Sequence, residues 1–412
     1  MSNNLLTISK ITNEALMVLE NELTFTGEVD RNYDDQFAVV GAKIGQTVNV
    51  RRPGRFIGTT GPALNVEDFN ETSVPVTLST QFHVDTQFTT QDLALSLDMF
   101  SDRVLKPAVA AIANKIDRDG LTVAKNNTAN IVGTAGSAPT SLLTYLNAGA
   151  YLDSEGAPRD GRRSVVVDQW ASASIVDNLK GLFNPQTTIS DQYRKGLMGR
   201  DSGGMNWYMD QNIVSQTFGS YSTAVLSCNV TTATGFLTSG WAYSSNITIS
   251  ASGAAATLNQ GDTFTIAGVY AVNPQNRQSY GKLRSFVVQS TTAISLGGSA
   301  TVTVVPAIIT GGQFQNVSVT SSGAQTVTPF NNTGAVSPQN ILMHRNAFTL
   351  ACADLELPEG VHFAGRASDK EIGLSMRVVR QYTINNDSIP TRLDVLYGWA
   401  PLYPELACRI AG

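Results

Sequence analysis

Charge is scarce in this chain. Of its 412 residues 15% are Asp, Glu, Lys or Arg, against roughly 25% in an average globular protein. The balance of 28 basic and 33 acidic residues leaves a formal net charge of −5. That excludes a strongly basic nucleic-acid binder, whose affinity comes from neutralising phosphates. Histidine is scarcer still: only His83, His344 and His362 are present, too far apart for two to share one turn of helix, so no helical pair of imidazoles is on offer to a metal. Cys228, Cys352 and Cys408 are scattered and odd in number, which argues against a disulfide framework and a paired-cysteine metal site. No apolar run approaches the ~18–20 residues that span a bilayer. The first twenty residues carry two glutamates and no basic stretch followed by an apolar one, so no secretory signal is read there and synthesis in the cytoplasm is expected. Phosphate-cradling Gly-x-x-x-x-Gly-Lys-Ser/Thr and Gly-x-Gly-x-x-Gly runs are both missing, and no cofactor is expected.

One fragment imitates a catalytic motif. Asp201-Ser202-Gly203-Gly204 reads like the nucleophile loop of chymotrypsin-type proteases, but Arg200 stands where that loop needs glycine. His83 sits in the alternating run QFHVDTQF rather than beside small residues, so the base is missing too. A glycine-rich turn is the better reading, and an enzyme is not expected.

What is present falls into blocks. Asn13 can cap a helix to Leu23 whose Ala15, Leu16, Leu19 and Leu23 share one face. Ten residues of helix are marginal alone, so the stripe needs a surface, either on its own domain or on a neighbouring subunit. Residues 41–89 follow, with strand-like alternation at Val48/Val50, Val74/Val76/Leu78 and Phe82/Val84 around a tip rich in Gly and Pro. A long two-stranded ribbon of this kind is barely stable unless it lies against something. Arg51, Arg52 and Arg55 cluster at its start, either as a solvated patch or as forks for a partner's carboxylates. Thr90 opens a short helix over Leu93, Leu97 and Phe100, and Ser101 a longer one with Ala108, Ile112, Ile116 and Val123 inward. Pro107 should kink the second helix or mark its first turn. Roughly 25 residues of helix would run about 37 Å. Residues 140–215 alternate helix and strand: SLLTYLNAGAYLDSEG, RRSVVVD, QWASASIVDNLKGLF.

The composition then shifts. Between Gln211 and Met343 the only charges are Asp262, Arg277, Lys282 and Arg284. Strand-length runs with turn residues between them indicate an all-β sandwich or barrel over about 224–335, with Phe264, Ile266, Phe286, Val288, Val302 and Val304 in its core. Mixed composition returns after it, where GLSMRVVRQYTI and TRLDVLYGW read as long strands around a turn at Asn386–Pro390. A continuous fold is thus interrupted by a β insertion, which is tolerated when the guest's ends lie close together.

This order of parts resembles the major capsid proteins of tailed bacteriophages with the Hong Kong ninety-seven-type shell fold. It most resembles the subgroup of the coat protein of short-tailed Salmonella phages, which carries an inserted immunoglobulin-like (telokin-like) domain. The stretches that carry the resemblance are VLKPAVAAIANKID (104–117), QYRKGLMGRDSGGMNWYMDQNIVSQTFG (192–219), GDTFTIAGVYAVNPQNRQSYGKLRSFVV (261–288) and RLDVLYGWAPLYPELACRI (392–410). It implies an α+β fold divided into an N-terminal arm (1–45), an extended loop (46–89), a peripheral domain with a spine helix (90–135), the first part of an axial domain (136–223), the insertion (224–335) and returning strands (336–412). It further implies self-assembly into pentamers and hexamers of an icosahedral virion shell, a scaffolding protein and portal during assembly, packaged double-stranded DNA without sequence-specific contact, and room for a decoration protein. The resulting candidates for contacts between subunits are Leu16, Leu19, Leu23, Arg51, Arg52, Arg55, Asp262, Arg277, Lys282 and Arg284. Some phages of this fold join a loop lysine to an asparagine of the next subunit. Here no lysine occurs between Lys43 and Lys106, so a non-covalent shell is expected. An encapsulin-type compartment shell and a surface-layer or adhesion protein with an immunoglobulin-like module are the alternatives.

Overall fold

The computed structural model describes residues 23–31, 47–89, 106–179, 202–221, 223–231, 235–331, 334–369 and 374–412. The arm helix expected at 13–23, with Leu16 and Leu19, and the short helix expected from Thr90 lie outside them, as does the cap expected at Ser101. The chain forms two compact units, residues 1–50, 75–120 and 348–400 in one, residues 51–74, 121–347 and 401–412 in the other. Helix α1 (Lys106–Asn127) contributes residues to both. Its 22 residues run about 33 Å at 1.5 Å each, and Pro107 stands in its first described turn, where no helical N–H is lost.

In the first unit a sheet runs in the order Phe348–Ala353, Ser388–Pro401, Leu374–Arg380, Phe363–Asp369, and Thr80–Thr89 pairs with Ser388–Pro401. The expected hairpin forms, with Arg377 opposite Asp394, but its turn falls earlier than Asn386–Pro390, because Pro390 is already in the strand opposite Gln87. Proline is acceptable there, near the strand's first residues, where its missing N–H costs little. The Arg377 guanidinium grips the buried Asp394 carboxylate with Nε at 3.0 Å and Nη2 at 2.5 Å. On α1, Ile112 and Ile116 are fully buried as the periodicity requires, whereas Val123 is half-buried and Leu121 and Ala124 take the interior. Asp117 is buried as well, and its carboxylate accepts the backbone N–H of Thr24 (2.9 Å) and Thr26 (3.0 Å) together with the Thr26 hydroxyl. Phe25 is thereby set among aromatic rings, 5.5 Å from Trp399 and 6.4 Å from Phe348.

The second unit holds a mixed sheet in the order Ile131–Gly133, Ala407–Ala411, Val336–His344, Arg163–Val167, Asn206–Met209. Helices α2 (Leu142–Ser154) and α3 (Gln169–Leu179) share a core with it, built on Tyr145, Leu152, Ile175, Val165, Trp207, Leu342 and Ile410. Ser141 caps α2 by accepting from Leu143 N at 3.2 Å, and Asp168 caps α3 through Trp170 N and Ala171 N. Arg163–Val167 is buried at every position, its Val165–Val167 run as a central strand demands, with Arg163 held by the Ala157 and Pro158 carbonyls.

The charge-poor segment forms an antiparallel sheet in the order Ser279–Val288, Ser299–Val305, Ser245–Ser252, Val225–Asn229, Ala324–Pro329, Thr263–Val272, Val317–Val319. Thr263–Val272 also pairs with Ser279–Val288, Phe264 opposite Phe286. That pairing closes six of the strands into a ring, with Val317–Val319 attached to Thr263–Val272 beside it. Barrel is therefore the member of the sandwich-or-barrel pair these strands describe. All six core residues read from the sequence are buried inside it.

Two measurements test this packing. A Cβ on Gly120 of α1 would lie 2.5 Å from Trp399 and 2.8 Å from Phe25. Alanine is the better helix former by about 1 kcal/mol, yet displacing two rings costs about 1–3 kcal/mol. Gly120→Ala should lower the urea midpoint of the unassembled subunit, and a raised midpoint would contradict the ring packing. Cys228, Cys352 and Cys408 are all buried thiols outside any disulfide, and burial pushes the Cys228 thiol up to about 11. Iodoacetamide at neutral pH should leave the native chain unmodified and label all three thiols in urea, since the thiolate is the reactive form.

Candidate functional site: the extended loop, its root and the splice to the barrel

Strands Thr47–Arg52 and Thr72–Thr77 pair, and residues 53–71 form the tip between them. Phe56 and Phe69 stack at 5.9 Å with rings 23° apart. The Glu67 carboxylate accepts the N–H groups of Ile57 and Gly58, both at 2.7 Å, which fixes the crossing of the tip. From the barrel, Arg277 donates to Phe56 O (2.9 Å) and Gln313 donates to Asp68 O (2.7 Å). The tip is thus shaped and tethered, yet its apolar side chains are bare: Leu64 is 90% and Val66 77% exposed, with Ile57, Phe56 and Phe69 about half exposed or more. Scattered single apolar residues at a surface need no explanation, but five on one short loop mark an interaction surface.

The loop's root is the opposite, polar and enclosed. Arg52 pairs with Glu405 and lies 4.4 Å from the Tyr403 ring centroid and 5.5 Å from that of Trp241. Arg284 pairs with Glu155. Burial lowers the Arg55 pKa, an effect Glu405 opposes and Arg52 reinforces. Burial likewise raises the pKa of Glu155, against the pull of Arg284. These groups line a cavity of about 160 Å³, smaller than the roughly 300–1,000 Å³ of a small-molecule site. Three arginines and two glutamates there form a structural joint.

A second buried cluster seals the splice between mixed sheet and barrel. Asp262, with no exposed surface, accepts Asn259 N (2.8 Å), Gly219 N (2.9 Å) and Gln216 Nε2 (2.9 Å). Arg409, on the last strand, donates to Gly261 O at 2.8 Å and to the Thr263 hydroxyl. Lys125, in the last turn of α1, donates to Gln216 Oε1 at 2.7 Å. Burial raises the Asp262 pKa against its N–H donors, and lowers that of Lys125 to about 8 and that of Arg409 to about 10.

The residues singled out by sequence fall into three groups. Leu23 is buried, as are Asp262 and Arg284; Arg52 is spent on Glu405 and two rings. Arg277 holds the loop tip, and Lys282 lies 5.5 Å from the Tyr151 ring centroid. Arg51 stays at the surface beside Glu71, 3.4 Å away. Sequence reasoning missed Lys125, Glu155, Gln216, Arg409 and the apolar tip; Leu64 and Val66 between Gly61, Pro62 and acidic residues were the available signal for the last. Ser202 sits in a turn through Gly203 and Gly204, both at positive φ, and its carbonyl accepts the Trp207 indole N–H at 2.9 Å. The His344 ring faces Asp160 at 3.2 Å, and the His83 ring faces Asp85 at 3.0 Å. Among the described residues no group of three or more His, Cys, Asp or Glu could hold a metal, and no helix is long and apolar enough to cross a membrane.

No curated protein sequence matches the chain. Among solved structures it is similar to that of Mycobacterium phage Che8 at 13% identity, covering 94% of this chain and 90% of that one with a TM-score of 0.47. It is also similar to the capsid of cyanophage P-SCSP1u at 10% identity, covering 89% and 83% with a TM-score of 0.43. A virus-like particle from Pyrococcus furiosus is similar at 7% identity, covering 98% of each chain with a TM-score of 0.38. The assignment itself rests on sequence, for the family model described as "P22 coat protein - gene protein 5" matches residues 1–412. The chain therefore belongs to the P22 coat protein family and is a phage major capsid protein, a structural component of the virion that assembles with copies of itself into an icosahedral shell.

Proposed function

We propose that residues 46–89 are the arm by which one subunit laps the next, with the bare apolar tip around Leu64 and Val66 as its contact. The exposure of those side chains on a loop otherwise well tethered carries this reading. Arg51, beside it, is the one member of the arginine cluster placed to meet a partner's carboxylate. Residues 1–45 serve as a second arm, with Leu16 and Leu19 on its apolar stripe, 90–135 as the peripheral domain, 136–223 with part of 336–412 as the axial domain, and 224–335 as a barrel that braces the loop within its own subunit. The shell encloses double-stranded DNA without sequence-specific contacts, as a net charge of −5 suits, because few phosphates would be gripped. Scaffolding protein and portal act during assembly, and a decoration protein is accommodated outside. No chemistry is performed on a substrate.

Leu64→Asp combined with Val66→Asp tests the contact. Residues at the centre of an interface contribute about 2 kcal/mol or more each, so particle yield should fall at least tenfold while the subunit keeps the wild-type urea midpoint. Normal particles from the double variant would remove the tip from the interface. Purified wild-type particles should carry nuclease-resistant double-stranded DNA, and after SDS they should run as one monomer band, since 44–105 contains no lysine to link subunits. A ladder of linked subunits contradicts the non-covalent shell.

A further inference from the structure

The charges that line the cavity at the root of the loop do not balance. All of its lining residues belong to the second unit. Arg52 is paired with Glu405 and Arg284 with Glu155, so both carboxylates are taken. Arg55 lines the same cavity and is half-buried, yet among the described residues its guanidinium has no hydrogen bond or ion pair. Arg277 is a further cation within electrostatic reach of Arg55, and its own donors go to the carbonyls of Phe56, Gln275 and Gln313 rather than to an acid. Four guanidinium groups therefore face two carboxylates. Arg284 is 4% exposed, and its Nε–H is buried without an acceptor. An arginine cannot escape by shedding its proton, and a cation withdrawn from water without a partner is costly.

We propose that this cavity is an anion site, taking one small inorganic oxyanion of the phosphate or sulfate kind against Arg55 and Arg284. Water could accept from the Arg284 Nε–H but would leave the excess positive charge in place, whereas an oxyanion answers both. The fork of a guanidinium matches the oxygens of such an ion. Its room suits as well. One water occupies about 10–15 Å³ of a cavity measured this way, so about 160 Å³ holds a phosphate with a few waters and is too little for an organic ligand. Trp241, Tyr243, Ile309 and Phe314 supply apolar walls, which strengthen a charge pair formed beside them. The bound ion joins Arg55, at the start of the loop tip, to the barrel strand Ser279–Val288 that carries Arg284, and so completes the joint. It needs no neighbouring subunit, and holds whether or not the tip contacts one.

The test is a calorimetric titration of the unassembled full-length subunit with inorganic phosphate, ionic strength being held constant with chloride. One phosphate should bind per chain, sulfate should compete for it, and the thermal midpoint should rise with the logarithm of phosphate concentration. Arg55→Gln should weaken the binding about tenfold or more, as loss of a charged donor does. Arg162→Gln, whose side chain is exposed and does not line the cavity, should bind as the wild type does. No saturable binding, an equal effect of chloride, or undiminished binding by Arg55→Gln overturns the proposal. Should Arg55→Gln fail to fold, the wild-type chain decides through phenylglyoxal, which modifies guanidinium groups, followed by peptide mapping. At ten times the dissociation constant, phosphate should slow the labelling of Arg55 about tenfold by mass action and leave that of the exposed Arg159 unchanged. Equal labelling of Arg55 with and without phosphate overturns the site.

Discussion

A chain with few charges that buries many of them must surround each with donors or counter-ions, because an ion taken out of water without partners costs several kcal/mol. The second unit obeys that constraint at both of its joints. Asp262 is held by three N–H groups, Arg409 by a carbonyl and a hydroxyl, and Glu155 by Arg284. Apolar side chains would fill the same space with less electrostatic cost but would not dictate one geometry. Removing either partner of such a set leaves an uncompensated buried ion, typically a loss of about 3–5 kcal/mol. The barrel's attachment is thus defined by polar groups at its root, while its interior of Phe264, Ile266, Phe286 and Val304 is defined by volume.

The same logic explains why the candidate contact charges sit where they do. A segment of some 110 residues with four charges looks, from its sequence, like a surface on which each charge is conspicuous. In the folded chain Asp262 and Arg284 are buried, Arg277 is half-buried and Lys282 stays exposed. Arg277 ties the loop tip, Lys282 covers Tyr151 and Arg284 meets Glu155. The side chains left bare on the loop tip are apolar instead.

How much of this could be read from residues depended on range. Local rules worked: the helix expected over SLLTYLNAGAYLDSEG forms and is followed by Gly156 at positive φ, and the valine run of RRSVVVD is a buried strand. Alternation identified the barrel's inward residues, since period 2 is a property of the strand itself. Closure of the ring was not legible, because it depends on pairings such as Leu226 with Val327, about a hundred residues apart, that no local pattern encodes. Nor was the burial of Asp117 and Asp262. Each stands in a polar run that reads as surface, and only the folded backbone shows N–H groups converging on it. On α1 the stripe was correct as far as Ile116 and drifted beyond it, for the interior face of a helix is set by what it meets as well as by its period.

Root and tip of the loop make sense together in a shell. An interface that repeats by symmetry uses the same contact many times, so a small gain per copy is multiplied and a loose contact is multiplied as well. Ordering a floppy loop on binding would cost about 1–2 kcal/mol per residue fixed. Arg52 clamped by Glu405 between Tyr403 and Trp241, Glu67 closing the crossing and Arg277 holding Phe56 O meet that cost when the subunit folds. On the proposed reading the exposed Leu64 and Val66 meet a neighbour already positioned, and their burial is left to stabilise the contact.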